Sequence, residues 1–131
     1  MNEYHAVTGA DYRFLFKLLE QRPKYARISH RSMPSWNQHV EFCERKPYRE
    51  WWIIKRLGEE VGSVYLTYAG EIGIAVERHK RRLGVAREAV QWMMERHDGR
   101  LLANVGPFNV PSRNLFEGLG WKLVQVTYER S

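Results

Sequence analysis

The stretch RHKRRLGVAREAV (residues 78–90) gathers Arg78, Lys80, Arg81, Arg82 and Arg87 around one glycine, Gly84. Glu77 and Glu88 are the only acids beside them. An ordinary turn needs no such charge, whereas a turn that holds a polyanion does. The residues before it, EIGIAVE, alternate as a strand. Those after it repeat as a helix, with Ala86, Ala89, Val90, Met93 and His97 at helical spacing. A strand that enters a helix through a basic, glycine-containing turn is physically an anion site. The first helical N–H groups have no intrahelical partner and point at the ligand. Glycine lets the backbone approach closely, and arginines add charge-assisted hydrogen bonds. The same residues also suit a plain helix start with its arginines in water, so the turn alone leaves both readings open.

The whole chain frames that turn. At 131 residues it is expected to be one domain, 1–131, and 44% hydrophobic residues suffice for a core. The net charge of +6 and pI near 9.7 favour anionic partners, nucleotides, phosphorylated cofactors or nucleic acid among them, or simply describe a basic surface. The single cysteine, Cys43, excludes an internal disulfide and a cysteine-rich zinc site. His5, His30, His39, His79 and His97 show no metal-ligand spacing, so no metal is expected. No apolar run resembles a signal peptide or suffices to cross a bilayer, and the expected location is the cytoplasm, with no membrane partner.

The elements that must position the turn follow in order. EYHAV is a short first strand. TGADYRFLFKLLEQR is a helix with a Thr8/Asp11 capping box and an apolar face of Tyr12, Leu15, Phe16 and Leu19. PKYARISHRSMP is a loop. SWNQHVEFCER opens a second helix through Ser35 and Gln38, with Trp36, Val40 and Cys43 on one face. PYREWWIIKRL is a strand, GEEVG a turn, GSVYLTYA a strand, and EIGIAVE the third strand of an antiparallel meander. After the helix at Gly84 come a strand RLLANVG, a short helix in NVPSRNLFEGLG, and a last strand WKLVQVTYE. The expected fold is α/β with a mixed sheet, ordered β-α-α-β-β-β-α-β-α-β.

Arg81-x-x-Gly84-x-Ala86 is an R/Q-x-x-G-x-G/A pattern, preceded by Val76 at a strand end. It resembles the acetyl-CoA-binding loop of the GNAT family of N-acetyltransferases. NVPSRNLFEGLGW resembles that family's closing segment, with Asn109, Ser112, Phe116, Gly120 and Trp121 on its positions. The likeness covers roughly residues 49–128. Residues 1–48 match only as the helices that precede the meander. The resemblance implies a GNAT-like fold, a sheet splayed between Glu71–Val76 and Leu101–Val105, and the pantetheine arm of acetyl-CoA in that gap. The arm would bond strand backbone near Ala75 and Val76, with an oxyanion donor near Val76. The pyrophosphate would sit on the N–H groups of Arg81, Arg82, Leu83, Gly84, Val85, Ala86 and Arg87. Asn109, Ser112 and Phe116 would close the cofactor site. The chain lacks G-x-G-x-x-G and G-x-x-x-x-G-K-S/T, so it is neither a dinucleotide-binding nor a P-loop sequence.

Acetyl transfer needs a neutral amine and an oriented thioester. Glu71 is expected within the cofactor-bearing strand, flanked by the small residues Gly73 and Ala75, and is the candidate general base. The other reading is a strand glutamate paired with an arginine. Asn104, polar within LLANV, either holds substrate or caps a backbone group. Where many relatives carry a tyrosine as acid for the leaving thiolate, this chain has Phe116, so no tyrosine role carries over; water, Tyr65 or Tyr68 are the substitutes. His30, Arg31 and Ser32 in the inter-helix loop, and Trp52, are the acceptor-side candidates.

The function so implied is transfer of acetyl from acetyl-CoA to a primary amine, small-molecule or macromolecular, by direct attack in a ternary complex. The alternatives are a non-catalytic acyl-CoA sensor or nucleic-acid-binding module on the same scaffold, or an acetyltransferase acting on a modified nucleic-acid base. Nucleic acid is possible but not indicated, because no stacking tract accompanies the charge. The expected state is monomer or homodimer.

Overall fold

The computed structural model describes residues 1–23 and 32–130. Its centre is a four-stranded antiparallel sheet in the order β1-β2-β3-β4, formed by Glu3–Ala6, Glu50–Arg56, Glu59–Leu66 and Ile72–Val76. β2 and β3 join through Leu57 and Gly58, whose φ angles of 50° and 80° are both positive, as a tight primed hairpin turn requires. The turn is therefore two residues, and the expected turn GEEVG is largely strand, since β3 starts at Glu59.

Two layers cover the sheet. On one face lies α3 (Val85–Arg96), which packs Val85, Ala89 and Met93 against Ile54, Val64, Leu66 and Ile72. On the other, α1 (Tyr12–Glu20) contributes Leu15 and Leu18, and α2 (Trp36–Glu44) contributes Cys43, all against Ile53. α1 follows a 3-10 turn at Gly9–Asp11, where the expected capping box forms: the Thr8 N–H donates to the Asp11 carboxylate at 2.8 Å. The Ser35/Gln38 box also forms at α2. His39, rather than Trp36, is the buried partner of Cys43 on that helix, because its Nε2 sits 2.8 Å from the Tyr12 carbonyl.

The last third departs from expectation. Residues 101–106 join the sheet through a single parallel bridge, Glu71 to Leu102, and form no ladder strand. α4 (Val110–Gly118) follows, capped by the Asn109 side chain. WKLVQVTYE (residues 121–129) is not a paired strand. Its composition is that of a strand, but a strand exists only against a partner edge, and this segment pairs with none among the described residues. No helix among the described residues is long and apolar enough to cross a membrane.

Candidate functional site

The antiparallel register decides which groups of β4 are free. The Thr67 N–H bonds to the Glu71 carbonyl, and the Glu77 N–H to that of Val61. Bonded pairs alternate along the ladder, so Gly73 and Ala75 turn their peptide groups towards β3. Ile72, Ile74 and Val76 then face the outer edge, and the Ile72 N–H does donate to Leu102 O at 2.7 Å. Beyond that bridge, Ile74 and Val76 present peptide groups to an open edge. Ala75 spends its backbone inside the sheet. Of the two residues expected to offer backbone to the arm, Ala75 has its peptide groups inside the sheet and Val76 has its own on the outer edge, with its carbonyl held by Arg81; Ile74, which sequence reasoning missed, shares that edge.

β4 runs into Glu77, a 3-10 turn at Arg78–Lys80, and the Arg81–Gly84 turn. Arg82 and Gly84 take left-handed φ values of 65° and 79°. This winding turns the N–H groups from Arg82 through Arg87 away from any acceptor: none of them donates a hydrogen bond among the described residues. The carbonyls, by contrast, are tied down. Arg81 Nε donates to Val76 O at 3.2 Å, Arg56 Nη1 to Leu83 O at 2.8 Å, and Asn2 Nδ2 to Val85 O at 3.0 Å. Arg56 is itself held by Asn2 Oδ1 and Glu88, and the Asn2 N–H donates to the Glu88 carboxylate. The result is a turn whose Leu83 and Gly84 carbonyls are bonded while its N–H groups have no partner among the described residues, at the N-terminus of a helix. That is an anion cradle. A Cβ placed on Gly84 would meet nothing within 4 Å, so the space over the glycine is open.

The charges around the cradle fall into two groups. Arg81 spends its guanidinium on Val76 O and on Gln21 O, at 3.2 and 3.1 Å, and acts as a brace. Lys80 pairs with Glu59 at 3.0 Å. Arg78, Arg82 and Arg87 have no side-chain partner among the described residues and remain available to an anion. Glu77 is buried under the turn and accepts from Gln21 Nε2 at 3.1 Å and from the His79 N–H at 2.8 Å. Burial alone would raise its pKa. These hydrogen bonds, with the charges of His79 and Lys17, more than offset that and hold the carboxyl below its ordinary range. Gln21, Arg56 and Asn2, which build the turn from outside it, carried no local signal in the sequence.

The other end of β4 carries the side-chain chemistry. Glu71 stands just before the strand, at the bridge to Leu102. Its N–H donates to Thr67 Oγ1 at 2.9 Å, the Thr67 hydroxyl reaches back to Oε1 at 3.4 Å, and Asn104 Nδ2 donates to Oε2 at 2.7 Å. No arginine pairs with it among the described residues. Glu71 and Asn104, expected separately from the sequence, therefore form one unit, and Asn104 holds the carboxylate rather than a backbone group. Parity puts Glu71 on the sheet face of Gly73 and Ala75. Tyr65 covers Gly73 there: a Cβ on Gly73 would collide with the Tyr65 ring and hydroxyl. Tyr65 stacks on Tyr48 with ring centroids 3.8 Å apart, and Trp51 meets Tyr48 edge-on at 4.7 Å.

The remaining candidates distribute as follows. Trp52 lies on the opposite, α3 face, packed against Trp92 and donating Nε1–H to Glu50, which corrects its expected place on the acceptor side. Trp51 is the tryptophan on the Glu71 face, and strand alternation made the two indistinguishable in the sequence. His30 and Arg31 lie outside the described residues; Ser32 is exposed. Leu83 is exposed, Val85 is in the core, and Ala86 is half-buried at the start of α3. Asn109 is buried and accepts from the Ser112 N–H at 3.3 Å, capping α4. Phe116 is buried against Trp121, with ring centroids 4.8 Å apart.

β4 thus combines an open outer edge with a turn whose N–H groups bond to nothing among the described residues, an arrangement suited to an extended, anionic ligand. The comparisons make that class specific. The family model "Acetyltransferase (GNAT) family" matches residues 14–121, and the chain belongs to that family. Solved structures share the fold. A domain from Methanocaldococcus jannaschii superimposes with a TM-score of 0.83 at 22% identity, covering 98% of this chain and 93% of that one. An acetyltransferase from Thermus thermophilus gives 0.75 at 22% identity, covering 95% and 89%. Mutant forms of a spermidine/spermine N-acetyltransferase from Vibrio cholerae give 0.71 at 17%, covering 91% and 78%. No curated protein matches the chain.

Proposed function

We propose that this chain is an acetyl-CoA-dependent N-acetyltransferase that acetylates a primary amine by direct attack within a ternary complex. One observation carries the reading: N–H groups from Arg82 to Arg87, without partners among the described residues, follow the same strand whose other end holds the Glu71–Asn104 pair. The residues present fit acetyl-CoA. The cradle and the guanidinium groups of Arg78, Arg82 and Arg87, unpartnered among the described residues, suit its phosphates, and the outward peptide groups of Ile74 and the Val76 N–H suit its amide-bearing arm, the Val76 carbonyl being held by Arg81. Acetyl-CoA supplies the activated thioester.

The chain's own groups do the rest. The Val76 N–H on the open edge is the donor for negative charge developing on the carbonyl oxygen. Glu71 takes the amine proton, directly or through water, as the C–N bond forms and the C–S bond breaks. Two of its acceptor positions are occupied by Asn104 and Thr67, and a carboxylate has others to spare. Thr67 and Asn104 are positioning residues. Phe116 donates no proton, and a thiolate leaves readily because thiols ionise near pH 8.5. Water, Tyr65 or Tyr68 is the proton source for it, and Tyr65 is the one whose ring covers Gly73 of β4.

The acceptor is an amine, and the spermidine/spermine enzyme of similar fold makes polyamines the first class to try. A panel of primary amines, scored by free CoA release with acetyl-CoA binding measured in parallel, tests the proposal. Release with at least one amine is expected. Tight acetyl-CoA binding with no release from any small or macromolecular amine would favour the acyl-CoA sensor, the reading that Phe116 supports.

A further inference from the structure

The sheet face that carries Glu71 is aromatic. The ladder sets Trp51 opposite Tyr65 and Tyr65 opposite Gly73, so three strands contribute one row to that face. Gly73 has no side chain, and the Tyr65 ring lies over it. Tyr48, just before β2, stacks on Tyr65 with the ring centroids 3.8 Å apart and the planes within 4° of parallel. Trp51 meets Tyr48 edge-on, and Phe42 of α2 adds its ring 5.8 Å from Tyr48 and 6.3 Å from Trp51. These four rings form a wall one row away from Glu71. The wall is not closed over: Phe42 is 38% exposed, and Tyr48, Trp51 and Tyr65 are only half-buried.

Two features suit the wall to a ligand of particular chemistry. The Trp51 Nε1–H is buried and has no hydrogen-bond partner among the described residues. Natural cores rarely leave such a donor unpaired, and it can donate to the π face of an incoming ring. The second feature is charge. Burial, and then the neighbouring Tyr65 hydroxyl, push the Tyr48 pKa up, while the Arg22 guanidinium opposes them. The phenol therefore stays neutral, and the ion that acts on it is a cation. A polyamine brings ammonium groups beyond the one that reacts, and each must find an acceptor or stay in water. A flat, uncharged body needs only apolar area and ring edges, which this wall supplies.

We propose that the wall of Phe42, Tyr48, Trp51 and Tyr65 recognises the body of the acceptor, and that the acceptor is a primary monoamine whose body is flat, aromatic and uncharged, its amine presented to Glu71. The inference rests on the acetyl-transfer reading for its reaction, but binding at the wall can be measured without turnover. Spermidine is the arm of the test that opposes it.

The test uses 2-phenylethylamine, n-butylamine and spermidine on the full chain, with two readouts. The first is the Trp51 indole N–H resonance in the protein saturated with CoA, identified by its absence in Trp51→Phe. The second is kcat/KM with acetyl-CoA. The expected result is that 2-phenylethylamine moves the resonance and the other two do not, and that it is acetylated with a kcat/KM about tenfold or more above theirs. Phe42→Ala, at an exposed ring, and Tyr48→Leu should each shrink that preference while acetyl-CoA affinity holds. Acetylation of all three amines at similar kcat/KM, or a preference for spermidine, would overturn the wall and leave acetyl transfer standing. A moved resonance without CoA release from any amine would leave the wall standing and overturn acetyl transfer. Neither a moved resonance nor release would overturn both.

Discussion

At the C-terminal end of β4 the groups that face a ligand are backbone N–H groups, from Arg82 to Arg87, held in place by side chains that bind the carbonyls behind them. At the N-terminal end they are side chains, Glu71 with Asn104 and Thr67, on a backbone engaged in ordinary pairing. The two ends therefore respond differently to change. A backbone cradle is lost through geometry, and replacing a nearby side chain only trims it. A carboxylate is lost with one atom substitution, while the fold around it stays put. The first end should govern affinity for acetyl-CoA, and the second should govern rate.

The largest expected effect is at the second end. Glu71→Gln keeps shape and hydrogen bonding but cannot accept a proton, so kcat should fall by roughly 10²–10⁴-fold with acetyl-CoA affinity unchanged. A wild-type rate with a true acceptor would make Glu71 structural and erase the proposed contrast.

The charges beside the cradle sharpen the comparison. Arg82 is exposed and has no side-chain partner among the described residues, so Arg82→Ala should weaken acetyl-CoA binding by about 1–3 kcal/mol and leave the melting temperature alone. Arg81 braces Val76 O and Gln21 O, so Arg81→Ala should lower both affinity and melting temperature. Parallel binding titrations and thermal melts separate the two. Equal melts for both variants would show that the brace is not needed.

The smallest effect is on stability at acid pH. Glu77 has a pKa held below the carboxylate range in the folded chain. Its contribution is therefore complete above the unfolded value near 4.3 and is lost as pH falls through the lower folded value. Denaturant titrations should show stability declining below about pH 5, and Glu77→Gln should flatten that decline while costing about 1–3 kcal/mol at pH 7. An unchanged acid limb would mean that the turn is held without Glu77.

How much of this the sequence disclosed follows the same division. Gly84 among arginines was readable because a left-handed turn leaves a compositional mark, glycine, and a helix start leaves a pattern. Glu71 and Asn104 were each readable as polar residues in apolar strands. Their 2.7 Å contact was not, because it depends on how residues 101–106 lie against β4. The braces Asn2, Gln21 and Arg56 were invisible for the same reason: each reaches the turn from a distant segment. Trp51 and Trp52 could not be assigned to faces from alternation alone, since both faces of β2 are covered by helices. The closing strand failed differently. Its residues favour a strand, and only a partner edge makes one.

Calorimetry of acetyl-CoA binding to Gly84→Val puts the cradle itself to the test. A Cβ there meets no neighbour within 4 Å, so the expected loss comes from filling the anion's space and from straining a residue at φ 79°. Gly84→Ala serves as the milder companion, and circular dichroism establishes that both variants are folded. The expected result is a loss of affinity on the order of a hundredfold or more for valine, equivalent to about 2.7 kcal/mol, with a smaller loss for alanine. Wild-type affinity in a folded Gly84→Val protein would contradict the assignment of the Arg82–Arg87 amides to the CoA phosphates.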